Sequence, residues 1–251
     1  MFNYGIQILK KIVYLGSKSV GYNCLQHLFK HRHDLEIELV GVLTNPRGEK
    51  IIDFCKEKSI KILSNLDEFI NLESFDIAIS VQYHKILKKH HIEKAEEIII
   101  NLHIAPLPEY RGCNQFSYAI INGDKEFGTT IHRLEEGIDS GAIMFEKRFP
   151  IPEDCWVRDL YKIACDNSLS LFQESLPQII SGDFELIPQA SLLSERRTSI
   201  HYRNEINDFK NIDLSWSKEK IERHIRATYM PGFEPPYTII NSTKIYFGRE
   251  N

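Results

Sequence analysis

Short apolar runs, each followed by a segment of helical spacing, restrict this chain to few architectures. Lys11–Gly16 (KIVYLG), Ile37–Thr44, Phe75–Val81 (FDIAISV) and Glu97–Leu102 (EIIINL) are nearly continuous in apolar residues, and Ile60–Leu63 is a shorter run of the same kind. Strands read that way when both faces are covered, as in a parallel sheet between helix layers. After the first run, Val20, Cys24, Leu25, Leu28 and Phe29 recur at helical spacing, and Ile51, Ile52 and Cys55 mark a second helix. The alternation predicts right-handed βαβ units and an α/β fold with a mostly parallel sheet. In such sheets ligands bind beyond the carboxyl ends of the strands.

The pattern changes after residue 128. Thr129–Leu134 and Ala142–Phe149 read as strands joined only by Glu135–Gly141. A long amphipathic helix is expected over Val157–Ile180, a short extended piece over Gly182–Pro188, a polar loop over Thr198–Asp208 and a helix over Ser217–Thr228. Tyr237–Phe247 has two apolar halves around Asn241-Ser242 and reads as a hairpin. A soft boundary near residues 181–195 divides a domain of residues 1–185 from a C-terminal extension of 186–251. Residues 1–10 read as an N-terminal extension ahead of the first strand.

Charge excludes one broad class of function. Lys and Arg number 31 against 35 Asp and Glu, and beyond residue 180 there are ten of each sign. Broad nucleic-acid binding requires a concentrated basic face. The five cysteines form no CxxC pair, which suits reduced thiols in the cytoplasm. No zinc-ligand spacing is visible, so no metal site is expected. No signal peptide and no apolar run of membrane-spanning length is present, so no membrane association is expected.

Gly16–Gly21 (GSKSVG) follows the first strand but lacks the GxGxxG and Walker A spacings, and a tight strand-to-helix turn explains it equally well. Asn101 and His103 are two apart at the end of a buried strand and therefore face one side. Asp139 lies between Gly137 and Gly141; alone it reads as a turn aspartate. Beside Asn101 and His103 it completes a set for acyl transfer to an amine: an amide that donates, an imidazole that carries a proton, and an acid that orients it. Tyr110-Arg111-Gly112 reads either as a surface turn or as a brace for a substrate loop. His132-Arg133 reads as an exposed edge of a strand. Arg223 and Arg226 share one face of the late helix; such pairs are usually solvated, but near Trp216 and Tyr229 they suit a pyrophosphate.

The run from Asn101 to Ile143, NLHIAPLPEYRGCNQFSYAIINGDKEFGTTIHRLEEGIDSGAI, resembles the formyltransferases that use 10-formyltetrahydrofolate. N-x-H, L-P, Y-R-G, N-G-D, G-x-T and D-x-G occur there in order. The resemblance implies a Rossmann-like formyltransferase domain with Asn101, His103 and Asp139 as its catalytic set. It places the folate near Gln82, Tyr83, His84 and Ile86 and near the backbone of Gly137 and Ile138. Ile104-Ala105 departs from the Pro-Ser or Gly-Ser of many relatives and removes a hydroxyl there. Residues 195–236 are similar to the region after the catalytic domain in the amino-sugar N-formyltransferases, with the dTDP-4-amino-4,6-dideoxyglucose enzymes of O-antigen synthesis nearest. That branch implies a nucleotide-linked amino sugar as substrate. Arg203, Arg226 and Tyr229 are then candidates for its phosphates, Trp216 and Phe233 for its base or sugar, and the hairpin for a homodimer contact. Glycinamide ribonucleotide transformylation, another formyl transfer, and formyl-folate hydrolysis are the alternatives.

Overall fold

The computed structural model describes residues 9–249, so the expected N-terminal extension lies outside the description as far as residue 8. Strands and helices alternate through the first part: β1 (Lys10–Gly16), α1 (Lys18–Lys30), β2 (Ile37–Leu43), α2 (Glu49–Glu57), β3 (Ile62–Leu63), α3 (Leu66–Ile70), β4 (Phe75–Val81), α4 (Lys89–Ile92) and β5 (Ala95–His103). There follow β6 (Arg111–Gly112), α5 (Gln115–Asn122), β7 (Glu126–Arg133), β8 (Ile143–Pro150), α6 (Val157–Ser181), β9 (Ile200–His201), α7 (Lys218–Thr228), β10 (Tyr237–Ile240) and β11 (Thr243–Tyr246).

The main sheet has seven strands in the order β3-β2-β1-β4-β5-β7-β8. β1 runs parallel to both β2 and β4, β3 parallel to β2, and β5 parallel to β4. The strand order reverses between β1 and β4. Connections there leave the sheet toward opposite faces and open a crevice at the carboxyl ends. Gly16 and Val81 are neighbours in register at that point. The small hairpin β10–β11 is antiparallel.

The chain forms two compact units, each drawn from separate stretches of sequence. The first contains residues 1–103, 131–145 and 169–188, and the second contains 104–130, 146–168 and 189–251. One core of the first unit is built from Val13, Leu15, Leu43, Leu63, Phe69, Phe75, Ala78, Leu87 and Ile99. Full burial of side chains of this size contributes about 1.5–3 kcal/mol each. Val20, Cys24, Leu25 and Leu28 form the buried stripe of α1, and the Tyr14 hydroxyl donates to the Gly21 carbonyl at 2.6 Å. Among the described residues no helix is long and apolar enough to cross a membrane.

Two segments differ from the sequence-based expectation. Residues 115–122, where the sequence reading places no element, form α5, which is too short for its apolar period to stand out. In the expected loop 198–208, Ile200 and His201 form β9 and pair in parallel with Arg111 and Gly112. The Tyr-Arg-Gly segment is therefore not a surface turn. Gly112 has φ of +87°, and a Cβ there would collide with the His201 carbonyl, so only glycine lets the two backbones approach. Tyr110 is buried, donates to the Asp124 carboxylate, and accepts from Asn122 at 3.1 Å.

Candidate active site

The site grows from the carboxyl end of β5, within the first unit. Ser80 and Asn101 are register partners on β4 and β5. The Leu134 N–H donates to the Ile99 carbonyl at 2.7 Å, which ties the chain leaving β7 to β5. His103 and His132 thereby come together, with ring centroids 6.4 Å apart and planes crossing at 84°. Asp139 enters from the connection to β8. Its backbone has φ of +45°, in the left-handed region that aspartate tolerates better than most residues. At Gly141 a Cβ would collide with the Arg133 carbonyl, so the loop closes back on its own strand only with glycine there. The Ser140 hydroxyl donates to the Glu136 carbonyl at 3.0 Å and stiffens the turn.

Four side chains result. Asn101 Nδ2 lies 3.2 Å from His132 Nε2. Asp139 Oδ2 lies 3.6 Å from His103 Nδ1, and Oδ1 lies 3.7 Å from His132 Nε2. His103 and His132 are buried. The His132 pKa falls to about 4, first because burial disfavours the charged ring; the attraction of Asp139 opposes this and does not overcome it. At neutral pH the His132–Asp139 approach is therefore not an ion pair.

Asn101, His103 and Asp139 are thus neighbours, as the sequence led one to expect. His132 is not: in place of an exposed edge it is a buried member of the cluster. Its alternation with Thr130 on β7 shows which residues share its face, but not that this face is covered.

The residues proposed for folate lie around the same strand ends. Gln82 follows β4 with φ of +54°, and its side-chain Oε1 is buried without a hydrogen-bond partner among the described residues. A buried orphan acceptor is costly unless a ligand donates to it, so Gln82 fits a pterin carrying N–H groups. Ser17, at the start of α1, spends its hydroxyl on the Gln82 carbonyl rather than on a helix cap. Its own N–H binds the Val81 carbonyl at 3.2 Å. Tyr83 packs against the core, and its rings stand 4.9 Å from those of His84. His84 and Ile86 are exposed. Gly137 and Ile138 precede Asp139 on the same loop.

The residues proposed for the nucleotide sugar belong to the second unit. Arg226 lines a cleft of about 460 Å³ together with Arg223, Lys125, Asp124 and Asp154, and pairs with Asp154 at 3.4 Å. Arg203, Trp216, Tyr229 and Phe233 are not among that lining. Trp216 is covered by the Lys220 ammonium, 3.9 Å from the ring centroid, and lies beside His224. Tyr229 meets Trp156 edge to face. Arg203 and Phe233 are exposed.

A parallel sheet that gathers an amide donor, two imidazoles and an acid at one strand end is a frame suited to group transfer. Residues 10–175 match the formyl transferase family, and the chain belongs to it. The GDP-perosamine N-formyltransferase of Brucella melitensis is 31% identical over 172 residues, 68% of this chain and 63% of that protein. The methionyl-tRNA formyltransferase of Borreliella burgdorferi is 34% identical over 233 residues, 86% of this chain and 71% of that protein. Among solved structures, the sugar 3N-formyl transferase WlaRD, crystallised with dTDP and 5-N-formyl-tetrahydrofolate, superposes with a TM-score of 0.79 at 28% identity, covering 95% of this chain and 85% of its own. The N-formyltransferase from Helicobacter canadensis, in complex with folinic acid and dTDP-3-aminofucose, gives 0.78 at 25% identity over 95% of this chain and 86% of its own.

Proposed function

We propose that this protein transfers the formyl group of 10-formyltetrahydrofolate to the amine of a nucleotide-linked 4-amino-4,6-dideoxy sugar, with dTDP-4-amino-4,6-dideoxyglucose as substrate. The convergence of Asn101, His103 and Asp139 at one strand end carries the reading. The neutral amine attacks the formyl carbon, and the formyl oxygen takes on negative charge. The Asn101 amide and the His103 ring stabilise that oxyanion, a contribution of about 100- to 1000-fold per donor. The new C–N bond forms in that attack, and collapse of the oxyanion then breaks the bond to N10 of the folate. His103, attracted to Asp139, carries the proton lost by the amine toward N10, directly or through a water. Gln82, Tyr83, His84, Ile86, Gly137 and Ile138 hold the folate, largely through backbone, and no metal enters the reaction.

In this reading residues 1–185 are the catalytic part, and residues 186–251 grip the nucleotide with Arg203, Arg226, Tyr229, Trp216 and Phe233. The dTDP bound to two structural relatives supports the base. The setting is the bacterial cytoplasm, in lipopolysaccharide O-antigen synthesis, and the working form is a homodimer. A second acceptor, methionyl-tRNA, is favoured by the Borreliella relative; the ten basic and ten acidic residues beyond 180 count against a tRNA surface there.

Incubation with 10-formyltetrahydrofolate and dTDP-4-amino-4,6-dideoxyglucose, followed by mass analysis for one added formyl group, tests the proposal. A formylated sugar supports it. Formylation of methionyl-tRNA alone would replace the acceptor, and formate release without any acceptor product would turn the reading to hydrolysis.

A further inference from the structure

We infer that His132 is a positioning residue for the reaction: its Nε2 lone pair holds the Asn101 amide with the nitrogen inward, so that the second N–H of that amide is the one offered to the developing oxyanion. The inference rests on the proposed formyl transfer for the role of Asn101, and on geometry for the rest.

His132 Nδ1 lies 2.9 Å from the Arg133 carbonyl oxygen. A carbonyl only accepts, so Nδ1 carries a hydrogen. A neutral imidazole has a single N–H, which leaves Nε2 as a bare lone pair. The ring is neutral because burial outweighs the nearby Asp139 charge. Asn101 is 3.2 Å from that lone pair. Its carboxamide oxygen would face the lone pair as acceptor against acceptor, whereas its NH2 donates. One bond thus sets the amide orientation.

An amide that flips freely presents its oxygen to the oxyanion part of the time, and acceptor against oxyanion raises the barrier. Held by His132, Asn101 presents a donor without reorganising when charge develops, which is the condition for large electrostatic stabilisation. Asp139 Oδ1 lies 3.7 Å from the same Nε2, and two acceptors at that distance make no bond to each other.

Two substitutions and one spectrum test this. His132→Gln retains an acceptor oxygen near the position of Nε2, and His132→Met removes it while filling the space. The expected result is a kcat loss of about 100-fold for His132→Met, with KM for both substrates little changed, and retention within about tenfold for His132→Gln. Folinic acid binding and thermal melting establish that both variants fold. A purely structural role predicts the reverse: His132→Met lowers the melting temperature and keeps kcat, and that outcome would overturn the inference. Nitrogen-15 spectra of labelled histidine in the unaltered protein read the tautomer without turnover. A protonated Nδ1 and an unprotonated Nε2 at neutral pH support the contact, and the opposite tautomer refutes it. If the wild-type protein formylates no sugar amine, the functional reading falls, and the spectrum still judges the contact.

Discussion

The Tyr110 hydroxyl and the Asp124 carboxylate, fourteen residues apart in the chain, are bonded to one another, and Arg197 reaches both. Tyr110 and Asp124 come from the Tyr-Arg-Gly and Asn-Gly-Asp parts of the motif that resembles the formyltransferases. Within one motif, Asn101, His103 and Asp139 are proposed to carry chemistry, while Tyr110, Asn122 and Asp124 bond one another in the second unit. Burial together with the Asp124 charge pushes the Tyr110 phenol well above its usual range, so it stays a donor.

Tyr110→Phe removes a hydrogen bond to a charged group and should cost about 1.5–3 kcal/mol of stability. Urea unfolding measures it. Since the hydroxyl is remote in role from the proposed chemistry, kcat should change little, and a large loss of kcat at unchanged stability would move Tyr110 into the reaction.

His103→Ala should lower kcat by about 100- to 10,000-fold, the range for loss of a general acid–base group. KM for the nucleotide sugar should hold, because that residue is proposed to act on the proton in flight rather than on the nucleotide. A steady-state assay with both substrates varied decides it, and near wild-type turnover would remove His103 from the mechanism.

Ser17→Ala releases the Gln82 carbonyl and with it the loop proposed to hold the pterin. A lost hydrogen bond of about 0.5–1.5 kcal/mol corresponds to a rise in KM for 10-formyltetrahydrofolate of about two- to tenfold, with kcat nearly unchanged. Titration with folinic acid should show the same weakening. An unchanged folate affinity would detach this loop from cosubstrate binding.

Stability should fall with acid through His132. Burial takes its folded pKa to about 4 from an ordinary value of 6.5; His103 lowers it further, while Asp139, the Arg133 carbonyl and Glu135 raise it without overcoming burial. A depressed folded value means that the unfolded chain binds the proton first as pH drops. The contribution is full above pH 6.5 and is lost on descending to about 4. At about 1.4 kcal/mol per pKa unit, the wild-type protein should lose about 3 kcal/mol more than His132→Gln between pH 7 and pH 4. Equal losses in chemical denaturation would mean that His132 is not buried neutral.

The hairpin β10–β11 leaves Ile239, Ile240, Ile245 and Tyr246 about half exposed. A two-stranded hairpin is marginal on its own, and these exposed apolar residues are the proposed dimer contact. Sedimentation should show a dimer, and Ile239→Asp with Ile245→Asp should yield a monomer that still melts cooperatively. A monomeric wild-type protein would exclude the hairpin contact.

The βαβ alternation, the late hairpin and the Asn-x-His pair were legible in residue order, because burial on both faces leaves continuous apolar runs and a two-residue spacing puts side chains on one side. Local spacing says which residues share a face, and it is silent on what covers that face. His132 therefore read as an edge residue until β7 lay beside β5 and buried it. The pairing of Arg111-Gly112 with Ile200-His201 was hidden for a related reason: a two-residue strand has no period, and its partner lies some ninety positions away. Trp216, a candidate for the base or sugar, carries the ammonium of a lysine four residues on against its ring, a contact that residue order alone does not show. In each case the deciding neighbour is distant in sequence or set by side-chain packing, and only the folded chain brings it into contact.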